Sequence, residues 1–231
     1  MTIEFAYKPK VIPIEGEEIS FAVRRIYCVG RNYLDHIREM KEGDERDPPF
    51  FFQKPADAIV PSGTSVPYPS ATTDLQFEGE LAVAIGKKGR AIRAEDAFDH
   101  VFGYGISIDL TRRDRQFECR DMSRPWEAGK SFDHSAPCGN LVRRATAGNL
   151  STGGLTLLVN GETKQKSDIS LMIWGVADII AHLSAQYTLE PGDIILTGTP
   201  AGVGPVVPGD IIDVVFDGLP KLSVTIAPPL T

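Results

Sequence analysis

The chain has 231 residues, 42% hydrophobic and 24% charged, the balance of one folded globular domain and not of a disordered or fibrous chain. A net charge of −7 without a basic patch argues against nucleic acid or an anionic membrane as partner. Cys28, Cys119 and Cys138 are widely spaced and odd in number, which excludes a disulfide framework and a Cys-x-x-Cys zinc site. Together with the lack of a leader or a membrane-length apolar run, reduced cysteines predict a cytoplasmic protein.

Residues 1–22 are polar and proline-bearing and read as a lead-in or edge strand, with the catalytic domain over 23–231. Arg25 to Gly30 reads as a strand, and a turn at Gly30-Arg31-Asn32 passes into a helix ending near Met40. Lys41 to Pro49 is charged and closed by two prolines, which predicts a mobile loop able to close over a ligand. Phe50-Phe51-Phe52 and Ile59-Val60 are short extended pieces whose aromatics are assigned to the core. Leu81 to Ile85 continues as an apolar strand, a short helix spans Ala94 to His100, and Val101 to Ile108 is a second buried strand. The polar stretch from Thr111 to Gln116 is helix-compatible, and Ser123 to Phe132 reads as a loop. Leu155 to Val159 followed by Asn160-Gly161 is a hairpin signal, because both turn residues accept positive φ. Ile173, Val176, Ala177, Ile180 and Leu183 or Ser184 form a helical stripe, with Asp168 or Ser170 as the candidate N-cap. Pro-Gly-Asp-Ile-Ile occurs twice, from Pro191 and from Pro208, each time as a turn feeding a strand.

Chemistry concentrates in a few places. Glu78 and Glu80 lie two apart on a strand and point to one side of it, while Gly79 leaves the other side bare. Asp109 closes a buried strand, where a carboxylate needs a partner. Three carboxylates without cysteine or histidine suit a hard cation, Mg²⁺ or Mn²⁺ before Ca²⁺; the competing reading of a Glu-x-Glu pair is a solvated strand face. His36 and Glu39 share a helix face, as a general base and its orienting carboxylate would, or as two surface residues. Helical spacing brings Gln116 back towards Asp109. Thr197-Gly198-Thr199-Pro200 is a loop in which backbone N–H groups and the Thr199 hydroxyl fit an anion, or a plain glycine-rich turn.

Taken in order, Gly30-Arg31-Asn32-Tyr33 with His36 and Glu39, Glu78-x-Glu80, Asp109, Lys130-Ser131-Phe132 and Leu196-Thr197-Gly198-Thr199-Pro200 resemble the fumarylacetoacetate hydrolase family from about Arg25 onward. The resemblance implies an α+β but mostly β fold, a mixed β-roll or sandwich with few flanking helices, and a homodimer. It implies that Glu78, Glu80 and Asp109 bind Mg²⁺ or Mn²⁺ and that His36 with Glu39 activates water. It further implies that Lys130 and Gln116 stabilise an oxyanion and that Gly198 and Thr199 hold a substrate carboxylate. The apolar Cys28-Val29-Gly30 offers no counterpart to the fourth metal carboxylate of the larger namesake enzyme.

Longer matches, among them Arg24 to Tyr33, Pro48 to Ala58 and Arg124-Pro125-Trp126-Glu127, resemble the branch acting on fumarylpyruvate in gentisate-type aromatic catabolism. The expected reaction is hydrolysis of the carbon–carbon bond of an acylpyruvate. A second carboxylate on that substrate calls for a cation, with Arg31, Arg112 and Arg124 as candidates and Arg31 first. The alternatives are an oxaloacetate decarboxylase or keto–enol isomerase on the same scaffold, and a catalytically silent keto-acid binder.

Overall fold

The computed structural model describes residues 8–40 and 47–230. Its centre is an eight-stranded mixed sheet in the order Phe50–Lys54, Arg25–Gly30, Asp193–Leu196, Gly79–Ile85, Val101–Ile108, Ala136–Cys138 and Ile59–Pro61, with Val142–Arg143 also paired to Val101–Ile108. A five-stranded sheet packs against it, ordered Glu162–Asp168, Gly154–Val159, Ile211–Phe216, Leu219–Ala227 and Thr64–Pro67. This is the mostly β, few-helix architecture that the resemblance implies.

Strand alternation explains the layering. Leu81, Val83 and Ile85 point into the main core with Tyr104, Ile106 and Ile108, where they meet Leu155, Leu157, Val214 and Phe216 of the second sheet. Ala82 and Ala84 point the other way, beside Ile26, Cys28, Ile194 and Leu196, in a smaller core. Ile12, Ile14 and Phe21 of the N-terminal hairpin, Val11–Pro13 with Ser20–Ala22, close that second core. The alternation that buries Ala82 and Ala84 puts Glu78 and Glu80 on their side of the sheet, just past the end of the apolar packing.

Several expectations shift in detail. The first helix is Leu34–Met40, and the segment from Ala94 to His100 is a 3₁₀ turn. The long helix, Val176–Gln186, starts after Gly175, whose N–H donates to Asp178 at 3.3 Å. Neither Asp168 nor Ser170 caps it; Asp168 instead accepts from the Ser170 N–H at 2.8 Å and caps the short turn Ile169–Leu171. The Asn160-Gly161 turn has φ of 52° and 80°, as its hairpin requires. All three cysteines are free and buried, and no described helix is long and apolar enough to cross a membrane.

Asp193 pins the parallel pair Arg25–Gly30 and Asp193–Leu196 together. Its fully buried carboxylate meets Arg24 at 3.1 Å and Arg25 at 3.0 Å and accepts from the Glu190 N–H at 2.9 Å. Both arginines are partly solvated, so the pair is worth less than a dry one. Asp193→Ala is expected to cost about 2–3 kcal/mol in urea unfolding, chiefly by removing the charge that two arginines and a backbone N–H converge on. A loss near zero would make the cluster a surface ornament.

Candidate active site and metal cradle

Antiparallel register assembles the carboxylates. Gly79 faces Ile108 and Glu80 faces Ser107, and the Asp109 N–H donates to the Glu78 carbonyl at 2.8 Å, so the three acids meet where two strands end. Glu78 sits at the break between Leu75–Phe77 and Gly79–Ile85 and not within one continuous strand. Even so, ligand atoms of Glu78, Glu80 and Asp109 lie within 4.8 Å of one another, and all three residues are buried. The solvated-face reading of the Glu-x-Glu pair therefore fails.

Their electrostatic situations differ. Glu78 pairs with Arg113 at 2.6 Å and Lys130 at 2.7 Å; burial acts to raise its pKa, but the attraction of Lys130 and Arg113 wins and holds it well below the usual carboxylate range. Asp109 lies between Lys130 (3.0 Å) and Lys54 (2.8 Å), yet its Oδ1 has no well-directed hydrogen bond. Glu80 pairs with no lysine or arginine among the described residues, and its one hydrogen bond is from the Gly198 N–H at 2.6 Å. Burial, with Asp109 and Glu78 close by, raises its pKa far above normal. An oxygen-only cradle holding one buried carboxylate without a cation and one under-satisfied aspartate oxygen fits a hard divalent ion.

The strand Asp193–Leu196 runs antiparallel beside Gly79–Ile85, with Leu196 opposite Ala82, so the loop that follows falls opposite Glu80. Gly198 takes φ +92° there, and a Cβ would come within 2.8 Å of the Asn32 side chain. Its N–H is spent on Glu80. The Thr199 hydroxyl donates to the Gly79 carbonyl at 3.0 Å and accepts from Gln165 at 2.8 Å, so the hydroxyl proton is committed within the protein.

His36, buried at 9% exposure, lines the same cleft. Its Nδ1 lies 3.2 Å from Glu39, whose carboxylate also receives the Gly202 N–H at 3.1 and 3.2 Å. Burial opposes ionisation of Glu39, but those two contacts outweigh it and lower its pKa. An ionised carboxylate only accepts, so His36 Nδ1 carries a proton towards it, and in the neutral imidazole the lone pair falls on Nε2.

Lys130 is buried, not solvated as its loop suggests, because the segment folds into a short helix, Glu127–Lys130, that turns it inward. Its ammonium reaches Glu78, Asp109 and Thr111, the last at 2.6 Å. Burial pulls its pKa down, but Asp109 and Glu78 more than compensate and raise it. Gln116, on the helix Arg113–Asp121, accepts from Arg113 through Oε1, which leaves its amide protons for the cleft.

Of the three arginines, Arg31 lines the cleft, with φ of 58° and its guanidinium 5.5 Å over the Phe50 ring. Arg112 lies 4.3 Å over Phe132 and lines a separate cavity with Tyr68 and His134, and Arg124 is exposed just after a turn. Phe50 and Phe52 are half-buried and pack on Trp126 at 5.0 and 5.9 Å; Phe51 and Phe52 pack against the two cores as expected, and Phe52 with Trp126 also walls the cleft. Arg113, Lys54 and Trp126 belong to the site without having been singled out. Arg113 is three residues before Gln116, and Lys54 alternates with Phe50 and Phe52, spacings that place each on the site's side. Of the predicted lid, residues 41–46 lie outside the described residues.

The ends of two central strands, which bury three acids, three cations and a polarised imidazole around open space, are the working end of an enzyme built around a divalent-ion cradle. The chain belongs to the fumarylacetoacetate hydrolase family, whose C-terminal domain it matches over residues 25–227. It is thus an enzyme of the class that hydrolyses carbon–carbon bonds. It is similar to the mitochondrial oxaloacetate tautomerase of Bos taurus (42% identity over 89% of this chain and 93% of that one). It resembles equally the fumarylpyruvate hydrolase of Ralstonia sp (42% over 78% and 93%). The crystal structure of fumarylpyruvate hydrolase from Pseudomonas aeruginosa in complex with Mn²⁺ and pyruvate superimposes with a TM-score of 0.95, at 47% identity, over 98% of this chain and 99% of that one.

Proposed function

We propose that the protein hydrolyses acylpyruvates, fumarylpyruvate foremost, to a carboxylate and pyruvate, in gentisate-type aromatic catabolism. One observation carries the reading: the Glu78, Glu80, Asp109 cradle shares a cleft with a His36–Glu39 pair in the tautomer of a base. A divalent ion, Mg²⁺ or Mn²⁺, supplies Lewis-acid stabilisation of the departing enolate when bound there. His36 Nε2 takes a proton from water as the oxygen adds to the C4 carbonyl. The alkoxide so formed is met by the uncommitted amide of Gln116, while Lys130 holds Glu78 ionised and adds positive charge behind the cradle. The C3–C4 bond then breaks, its electron pair leaves with pyruvate C3, and C3 takes the proton that His36 Nε2 removed from water. The Thr199 backbone N–H, not its hydroxyl, is the donor for the keto acid's carboxylate.

Fumarylpyruvate is favoured within the class because the cleft has a flat aromatic wall, Phe52 and Trp126, for a conjugated acyl group and Arg31 for a distal carboxylate. Arg31→Met is expected to lower kcat/KM for fumarylpyruvate about thirtyfold more than for acetylpyruvate, the ~2 kcal/mol of a charge-assisted contact. Equal losses on both would take Arg31 out of the acyl pocket. The reading includes a cytoplasmic homodimer, residues 1–22 as a lead-in to a catalytic domain over 23–231, and closure of the loop after Met40 over bound substrate.

The similarity to an oxaloacetate tautomerase supports a second reading, isomerisation or decarboxylation of oxaloacetate in the same cleft. Measuring pyruvate release from a panel of acylpyruvates and from oxaloacetate, with and without Mg²⁺, tests both. No turnover of any acylpyruvate would end the first.

A further inference from the structure

The strand Glu162–Asp168 is the edge of the second sheet, and its residues are exposed or half-exposed with one exception: Gln165 is 1% exposed. Strand alternation makes the exception: Gln165 stands opposite buried Leu157 and so shares its inward face. Just beyond that pair Leu158 meets Thr163, so Lys164 is an extra residue, a bulge beside Gln165. From the inward face Gln165 reaches the active-site wall. There its Oε1 accepts from the Gly79 N–H at 2.9 Å, and its Nε2 donates to the Thr199 hydroxyl and the Pro200 carbonyl, each at 2.8 Å.

Every hydrogen-bonding direction in this knot follows from the amide. A glutamine nitrogen only donates, so the Thr199 oxygen must accept from it, and the Thr199 proton is left to go to the Gly79 carbonyl, 3.0 Å away. Gly79, Gln165 and Thr199 thus form a closed ring. The ring grips the peptide between metal ligands Glu78 and Glu80 from behind, the bare side of Gly79, where a Cβ would lie 3.2 Å from Gln165 Oε1. At the loop's far end, Gly202 passes so close to the bulge that a Cβ there would overlap the Lys164 carbonyl at 2.2 Å.

We infer that Gln165 is a positioning residue: it fixes the polarity of the Thr199 hydroxyl and the placement of the Thr199-Pro200 segment, so that this segment presents a backbone N–H and not a hydroxyl to the keto acid's carboxylate. The inference rests on the reading that a keto acid is held there. Its consequence is a dependence of substrate affinity on a side chain that touches no substrate.

Gln165→Glu tests it. The ionised carboxylate puts an acceptor against both the Thr199 oxygen and the Pro200 carbonyl, which reverses the ring; the protonated acid restores one donor. KM for the acylpyruvate, and the dissociation constant of oxalate measured calorimetrically with Mg²⁺, are expected to rise about tenfold or more above the introduced group's pKa and to return towards wild type below it. Wild type should lack that pH dependence, and Gln165→Met should be weakened at every pH. Thr199→Ser should keep near-wild-type affinity and Thr199→Val should lose it, with Gln165→Glu adding no pH dependence to Thr199→Val. Gln165→Glu following wild type at every pH, or Gln165 variants that lower only the melting temperature, would overturn the inference. If wild type itself neither binds oxalate nor turns over an acylpyruvate or oxaloacetate, the functional reading fails and the inference with it; normal wild-type binding with unchanged variants defeats the inference alone.

Discussion

Glu80→Gln is expected to abolish turnover and to weaken Mn²⁺ or Mg²⁺ binding by about 100-fold or more, while leaving the fold intact. The amide oxygen still accepts the Gly198 N–H, and the change removes a buried charge that no lysine or arginine among the described residues neutralises. In the metal-free protein it should even stabilise at alkaline pH. The sign follows from the raised pKa of Glu80, which burial and the neighbouring Asp109 and Glu78 impose. A carboxyl whose folded-state pKa is raised adds stability while protonated and loses it as pH rises through the raised value. Glu78 works oppositely: its lowered pKa adds stability above the ordinary carboxylate range and gives it up only on strong acidification. Between the ordinary carboxylate range, where the unfolded chain ionises, and the raised value, Glu80 therefore gives melting temperature a downward slope with pH. The metal-free wild type should lose stability with rising pH, added Mg²⁺ should restore it, and Glu80→Gln should flatten the curve. Ion binding should release a proton in proportion. Full activity in chelator-treated, metal-free enzyme would end the metal proposal.

What could be read from the chain ahead of its structure depended on range. Glu78, Glu80 and Asp109 were legible because period-2 alternation and a charge ending an apolar run are local signals. His36 and Glu39 were legible from one helical spacing. Lys130 illustrates the limit: Ser123 to Phe132 has the composition of a solvated loop, and only packing of Phe50 and Phe52 on Trp126 turns the short Glu127–Lys130 helix inward. The helix cap at Gly175 was missed because a glycine carries no side-chain signal, whereas Asp168 does carry one and spends it on a 3₁₀ turn seven residues earlier. The roll itself is a matter of which strands pair across long separations, such as Arg25–Gly30 with Asp193–Leu196, and that came through family resemblance and not through periodicity.

His36→Ala is expected to separate the two readings of the cleft. Hydrolysis needs water deprotonated as it adds to a carbonyl, and removing a positioned base typically costs 10²–10⁴-fold, so acylpyruvate hydrolysis should fall by roughly that factor. Decarboxylation of oxaloacetate needs an electron sink next to the breaking bond but no activated water. The cradle of Glu78, Glu80 and Asp109 remains whole in the variant, so decarboxylation should stay within a few-fold of wild type. Glu39→Gln should fall between the two for hydrolysis. The glutamine can still accept the Nδ1 proton of His36 and the Gly202 N–H but no longer offers negative charge to the imidazolium that forms. A third measurement keeps binding apart from chemistry: oxalate affinity with Mg²⁺ should change little in His36→Ala if the imidazole acts on water and not on the keto acid. Equal loss of hydrolysis, decarboxylation and oxalate binding would make His36 a substrate ligand. Hydrolysis surviving in His36→Ala would require a different base, and no other histidine lines the cleft among the described residues.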